Sequence, residues 1–132
     1  MAAKPKVFVS RRIPDAGLKV IQEQCDAEIW PEPLPPPYEA LRTKVVNCDG
    51  LVSLLTDRID AALLDAAPRL KVVSNFAVGF NNIDVPAATA RGIAVGNTPG
   101  VLTDATADMA FCLLISAARC VVAGHQYSLS GQ

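Results

Sequence analysis

The chain has 132 residues, which is enough for one ordinary domain and too few for two. Hydrophobic residues make up 51% of the chain and charged residues 19%, a balance that can bury a core and excludes a disordered polypeptide. The formal net charge is −1 and no basic stripe is present, so we expect no nucleic-acid partner and no anionic membrane surface.

The cysteines indicate neither a metal site nor a disulfide framework. They stand at positions 25, 48, 112 and 120, form no CxxC pair, and lie mostly far from the only histidine, His125. We therefore expect no zinc site and interpret the first three as small hydrophobic residues in the thiol form. The apolar run at 7–9 is too short for a signal peptide and the one at 105–118 too short for a membrane span, so we expect a cytoplasmic protein.

Short apolar runs alternate with helical stretches along the first half of the chain. The predicted elements, in order, are a strand at Lys6–Ser10, a helix opened by Pro14, a strand at Ala27–Trp30, a helix at Tyr38–Val46 and a strand at Gly50–Leu54. Between the second and third of these strands, Pro31–Pro37 contains five prolines. It predicts a stiff, exposed connector rather than a ligand for SH3-type domains.

The second half continues the alternation. Its predicted elements are a helix at Asp60–Ala66 stopped by Pro68, a strand at Leu70–Asn75, a helix at Val85–Ala90 capped by Asp84 and ended by Gly92, a strand at Ile93–Val95, and a long helix from Asp104 to about Val121 capped by Thr103. Five strands separated by helices predict an α/β fold in which a doubly wound, flavodoxin-like parallel sheet carries helices on both faces.

The last predicted helix has almost no polar face. Its apolar residues include Met109, Phe111, Leu113, Leu114 and Ile115. Because a helix that is apolar all round must be covered on several sides, we expect it to belong to a larger protein. Left uncovered, this surface is expected to promote association.

Three segments are predicted to reach the carboxyl edge of the sheet, where open parallel sheets bind ligands: Ser10–Arg12, Leu54–Asp57 and Asn75–Gly79. Gly79 has access to backbone angles that other residues avoid, and it lets a ligand approach closely. Successive N–H groups in such a loop can hold a small carboxylate. A plain tight turn is the alternative. We expect His125 to be a surface histidine, and the chain contains no GxGxxG motif and no P-loop.

Several motifs, in the same order along the chain, resemble the D-isomer-specific 2-hydroxyacid dehydrogenase family, of the glyoxylate/hydroxypyruvate reductase type. The resemblance covers nearly the whole chain. The segments that carry it are Lys6–Pro14, Asp49–Asp57, Leu70–Asp84 and Arg91–Asp104.

The resemblance implies an enzyme that reduces a small 2-keto acid with NADH or NADPH. Residues 1–98 would form its substrate-binding domain, and residues 99–132 the linker and first helix of a Rossmann-type nucleotide-binding domain. The implied substrate-binding residues are Leu55, Ala77, Val78 and Gly79, with the carboxylate on the amides of the last two. The implied cofactor-binding residues are Val78 and Thr106.

The resemblance also implies that much of the enzyme lies beyond residue 132. The family's dinucleotide loop, its catalytic arginine, glutamate and histidine, and its helix that returns to the substrate domain all come later in the sequence. We therefore expect no catalytic residue and no turnover in this chain, and a homodimer is the family expectation. The choice among glyoxylate, hydroxypyruvate and larger keto acids stays open, as does NADH against NADPH.

Two non-enzymatic functions are alternatives. A flavodoxin-like signalling receiver would carry a phosphorylated aspartate near the end of the third strand, where Asp57 stands. Such a receiver also needs an acidic pair after the first strand to bind magnesium, and this sequence has Arg11 and Arg12 there. The second alternative is a short, non-catalytic isoform or binding module with the same fold.

Overall fold

The computed structural model describes residues 3–131, which form two compact units that divide between Pro99 and Gly100. Within residues 3–99, the first unit contains five short strands and four α-helices. The strands are β1 (Lys6–Val9), β2 (Asp26–Ile29), β3 (Gly50–Ser53), β4 (Val72–Asn75) and β5 (Ala94–Gly96). The helices are α1 (Asp15–Gln24), α2 (Tyr38–Lys44), α3 (Ala61–Asp65) and α4 (Val85–Ala90), and a 3-10 turn at Val45–Asn47 follows α2.

The five strands form one parallel sheet in the order β2-β1-β3-β4-β5. This is the predicted flavodoxin-like, doubly wound arrangement, which is thereby confirmed. In the pairing of β3 with β4, Gly50 lies opposite Val72 and Ser53 opposite Asn75. Because parallel strands in register end at the same edge, the segments that follow β3 and β4 leave the sheet side by side.

The main core lies on one face of the sheet. Phe8, Leu51 and Val73 are fully buried there, since every second side chain of a strand points to the same face. The helices α2, α3 and α4 cover this face through Leu41, Leu63, Leu64 and Ala88. On the other face, the buried side chain of α1 is Leu18, and Val72 is 41% exposed.

Two predicted helix signals are confirmed in α4. The Asp84 carboxylate accepts a hydrogen bond from the Ala87 N–H at 2.9 Å, which satisfies one of the free amides of the first turn. Gly92 has φ +67°, the left-handed conformation that ends helices and that glycine adopts without steric cost.

Some predicted boundaries in the first unit are wrong. The second helix ends at Lys44 rather than Val46, because the chain tightens into the 3-10 turn Val45–Asn47. The fourth strand begins at Val72 rather than Leu70, since the Leu70 N–H donates to Ala67 O at 3.0 Å and closes a turn instead of entering the sheet.

The second unit consists of α5 (Thr103–Ala118) and α6 (Val121–Leu129). The prediction that Thr103 caps the helix is wrong. Thr103 is the first helical residue, and its hydroxyl donates to Gly100 O at 3.4 Å. None of the described residues of α5 is buried, and its apolar side chains Met109 and Phe111 are exposed.

The prediction of one helix to about Val121 is also wrong. Cys120 takes a left-handed conformation with φ 50°, which an α-helix cannot continue, and α6 starts after it. His125 lies within α6, where it is exposed, as expected of a surface histidine. No single helix of the described residues is long and apolar enough to cross a membrane; α5 and α6, bent by 58°, meet the length and composition requirement only together.

Asp60, the N-cap of α3, makes the stability of the first unit depend on pH in the acidic range. Asp60 accepts hydrogen bonds from the Tyr38 hydroxyl at 2.6 Å and from the Leu63 N–H at 3.0 Å, and it pairs with Arg58 at 2.8 Å. The Tyr38 hydroxyl, followed by the Leu63 N–H and Arg58, holds the pKa of Asp60 below its usual value. A lowered folded-state pKa adds stability above the unfolded-state pKa of about 3.9, and that stability disappears as the pH falls through the folded-state value.

We expect Asp60→Asn to reduce stability at neutral pH, because asparagine keeps the acceptor oxygen and loses the charge. Variant and wild type should become equally stable only when the pH falls below the lowered folded-state pKa of Asp60. Urea unfolding at neutral and acidic pH measures this. As a control, Tyr38→Phe removes the hydroxyl donor but keeps the charge, and should weaken the acid dependence without abolishing it. Parallel pH profiles for all three proteins would contradict the assignment.

Candidate functional site

The candidate site is built by two segments at the carboxyl edge of the sheet. We call Leu54–Asp57, which follows β3, the β3 turn, and Phe76–Asn81, which follows β4, the β4 loop. The Phe76 N–H donates to Ser53 O at 2.7 Å, so the two segments leave adjacent strands.

Two backbone amides of the β4 loop are free to bind a ligand. Among residues 3–131, neither the Val78 N–H nor the Gly79 N–H has an acceptor within hydrogen-bond distance. By contrast, the Ala77 N–H donates to Asn75 O at 2.8 Å. Unsatisfied neighbouring amides of this kind are suited to an anion.

The segment that follows β5 orients these two amides. Ala77 O accepts from the Thr98 N–H at 2.9 Å, and Val78 O accepts from Asn97 Nδ2 at 2.7 Å. In a trans peptide the C=O and the next N–H point in opposite directions, and the described chain has no cis peptide bond. The N–H groups of Val78 and Gly79 therefore point away from Asn97 and Thr98, on a common side.

A network of buried polar side chains lies beneath the two segments. The described chain has four buried polar or charged residues, and all four end or follow strands at this edge of the sheet: Ser10, Ser53, Asp57 and Asn75. Each buried side-chain polar atom of the described residues has a hydrogen-bond partner. Such satisfaction is what makes a buried polar group tolerable, so the network holds a defined geometry.

Asn75 connects the network to the β4 loop. Its Oδ1 accepts from the Ser53 hydroxyl at 2.9 Å, and its Nδ2 donates to Gly79 O at 2.9 Å. Asn75 is 1% exposed, so it serves as an internal support and not as a ligand. Its place at the edge was predictable from the sequence, whereas no local signal indicates this supporting role.

Asp57 closes the β3 turn from inside. Its Oδ2 accepts from the Leu54 N–H at 2.8 Å and from the Ser10 hydroxyl at 2.5 Å. The Asp57 residue is 3% exposed. A carboxylate so buried and so bonded is not accessible for phosphorylation, which argues against a signalling receiver.

The other predicted site residues lie on different elements of the chain. Leu55 is at the tip of the β3 turn and is 66% exposed, whereas Val78 is 39% exposed on the β4 loop. Thr106 is on α5 in the second unit, where its N–H donates to Leu102 O at 2.9 Å.

One predicted reason for a glycine at position 79, an unusual backbone conformation, is wrong, whereas close approach of a ligand stays a prediction. Gly79 does not adopt a positive φ, in contrast to Gly92 and Gly100. A Cβ at position 79 would lie 3.3 Å from Asn81 Oδ1, so the Asn81 side chain would have to shift by a few tenths of an ångström to admit a larger residue.

The remaining predicted segment, Ser10–Arg12, contributes support and not a basic ligand. Arg12 pairs with Asp15 at 2.6 Å, and Arg11 Nε donates to Pro33 O at 3.3 Å. The two free amides of the β4 loop are therefore the candidate anion-binding groups of this edge.

Comparison with known proteins identifies one family. The family model of the D-isomer specific 2-hydroxyacid dehydrogenase catalytic domain matches residues 7–127. A glyoxylate reductase from Korarchaeum cryptofilum is 52% identical over 129 residues, which are 98% of this chain and 39% of that protein. One from Thermococcus litoralis is 50% identical over the same shares. The chain thus spans about two fifths of the length of these relatives.

Solved structures have the same fold. The TT0316 protein from Thermus thermophilus aligns with a TM-score of 0.86 and 40% identity over 96% of this chain and 40% of that one. An NADPH-dependent glyoxylate/hydroxypyruvate reductase from Sinorhizobium meliloti, solved in complex with NADP and malonate, aligns with a TM-score of 0.68 and 31% identity over 86% of this chain and 34% of that one.

We expect Asp57→Ala to lower the free energy of unfolding by about 2–4 kcal/mol, because the Ser10 hydroxyl and the Leu54 N–H each lose their acceptor in a buried setting. Urea denaturation measures the change. Thr56→Ala, at an exposed position of the same turn, is the control and should change stability by less than about 0.5 kcal/mol. Equal losses in the two variants would show that Asp57 does not support the turn.

Proposed function

This chain belongs to the D-isomer specific 2-hydroxyacid dehydrogenase family, and we propose that it forms the substrate-binding part of an oxidoreductase. The enzyme transfers a hydride between NAD(P)H and a small 2-keto acid, such as glyoxylate or hydroxypyruvate. The chain contributes the site for the substrate carboxylate.

The observation that carries this proposal is the pair of free amides at Val78 and Gly79. Both are held on a common side by Asn97 and Thr98. Two parallel donors match the two oxygens of a carboxylate, and hydrogen bonds to a charged acceptor are stronger than neutral ones. Because binding rests on two main-chain donors, we expect millimolar or weaker affinity for a small acid.

The relatives support the substrate class and the cofactor. The matched proteins from Korarchaeum and Thermococcus are glyoxylate reductases, and the Sinorhizobium enzyme was crystallised with NADP and with malonate, a small carboxylate. By analogy we propose NAD or NADP as the cofactor here.

The other residues take their roles from the same proposal. Leu55, exposed at the tip of the β3 turn, and Ala77 line the substrate pocket. Val78 also contacts the nicotinamide, and Thr106 lies near the cofactor. Residues 1–98 then form the substrate-binding domain, and residues 99–132 the beginning of the nucleotide-binding domain.

A homodimer in the cytoplasm completes the proposal. The exposed apolar side chains of α5 support association, since apolar surface of this extent is stabilised by being covered. The four cysteines are free thiols, as is usual in a reducing compartment.

We expect titration of the ¹⁵N-labelled chain with glyoxylate to shift the amide resonances of Val78 and Gly79 more than those of the amino edge of the sheet. The methyl ester of the acid, which lacks the carboxylate, is the matched ligand control and should leave them in place. Absence of any saturable shift in the β4 loop would overturn the carboxylate site.

A substitution in the β4 loop tests the same carboxylate site. Gly79→Ala should weaken binding about fivefold, because the added Cβ lies 3.3 Å from Asn81 Oδ1 and stands beside the amides that the acid must approach. Gly96→Ala is the control, since a Cβ there meets nothing within 4 Å. Equal affinity in both variants would place the acid elsewhere.

We expect the purified chain to show no NADH oxidation with hydroxypyruvate. Hydride transfer needs a bound nicotinamide in near-attack geometry and a proton donor for the new hydroxyl. The only histidine of the sequence, His125, is exposed on α6. Measurable turnover in a preparation free of other dehydrogenases would contradict this.

A further inference from the structure

One side chain connects the two segments of the candidate site. Asn82 follows the β4 loop, and its Nδ2 donates to Leu54 O at 3.1 Å and to Asp57 O at 3.0 Å. These two carbonyls are at the first and last residues of the β3 turn. A single amide group therefore holds both ends of the turn that presents Leu55.

The same side chain is also bonded to the support of the β4 loop. Asn82 Oδ1 accepts from Asn75 Nδ2 at 3.1 Å, and Asn75 Nδ2 also donates to Gly79 O at 2.9 Å. A continuous set of hydrogen bonds thus runs from the β3 turn through two carboxamides to the loop that carries the free amides.

Only a carboxamide can both donate to the carbonyls of the β3 turn and accept from Asn75 at this position. It carries donors and an acceptor on one planar group, whereas a carboxylate would bring oxygen against the carbonyls of Leu54 and Asp57. The main chain of Asn82 is held separately, because Asn82 O accepts from the Ile59 N–H at 2.9 Å. This backbone hydrogen bond does not depend on the Asn82 side chain.

We propose that Asn82 is a positioning residue that sets the separation between Leu55 and the amides of Val78 and Gly79, and thereby selects the size of the 2-keto acid. The inference rests on the proposed function, because it assigns the pocket edge of that same site. Asn82 itself does not contact the substrate; it acts through the β3 turn.

The test compares affinities for glyoxylate and for a branched-chain 2-keto acid, measured by NMR titration of the full chain. In Asn82→Ala the ratio of the two affinities should change by about fivefold, because the β3 turn loses the bonds that hold Leu55 in place. Asn47→Ala makes the same change at an exposed position before β3, at the amino edge, and should leave the ratio unchanged. A general loss of stability would weaken both acids equally and would overturn the inference.

A double variant shows whether Asn82 acts through Leu55. In a Leu55→Ala background the side chain that Asn82 positions is gone, so adding Asn82→Ala should no longer change the ratio. If Asn82→Ala still changes the affinity ratio about fivefold in the Leu55→Ala background, Asn82 does not act through Leu55.

Two ligand-free measurements separate this inference from the proposed function. The resonances of Leu55 and Thr56 should broaden or shift in Asn82→Ala, and unchanged resonances would overturn the positioning role even if the acids bind. In the wild-type chain the Asn82 side-chain amide protons should exchange slowly with solvent, which requires no substitution, and fast exchange would also overturn it. Failure of wild type to bind either acid, with both of these results positive, would instead contradict the carboxylate site.

Discussion

The parallel pairing of β3 with β4 is the constraint on which the site depends. With Ser53 opposite Asn75, both strands end at the same level, and the segments that follow them must leave the sheet together. A hairpin connection would have sent them to opposite edges. The exposed position of Leu55, the free amides of Val78 and Gly79 and the side chains that support them all follow from this shared exit.

At the carboxyl edge of the sheet, side chains form hydrogen bonds with backbone groups that the strands leave unpaired. Strand ends leave backbone groups without a ladder partner, and burying them unpaired would cost about 1–3 kcal/mol each. Asp57 accepts from the Leu54 N–H, and Asn82 donates to two carbonyls of the same turn. The amides of Val78 and Gly79 are the exception, because the carbonyls of the same peptides are bonded to Asn97 and Thr98, which directs these N–H groups elsewhere.

Local signals predicted much of the fold, and their failures have a common cause. Apolar runs, the Asp84 cap and Gly92 each act within a few residues, and each is found as predicted. The break at Cys120 has no such signal, because neither α5 nor α6 carries an apolar stripe on one face whose end would mark the end of a helix. Residue type alone favours Thr103 as a cap, but its hydroxyl donates to Gly100 O instead.

The sequence by itself determined the parallel α/β fold, the family, and the position of the candidate loop around Val78 and Gly79. All three depend on the order and period of apolar residues and on contiguous motifs, and both are properties of neighbouring residues in the sequence. The tertiary structure alone decided the direction of the two amides and the linkage through Asn75 and Asn82. Those bonds join residues that stand far apart in sequence, such as Asn82 and Leu54, and the choice of partner arises only when the strands pair.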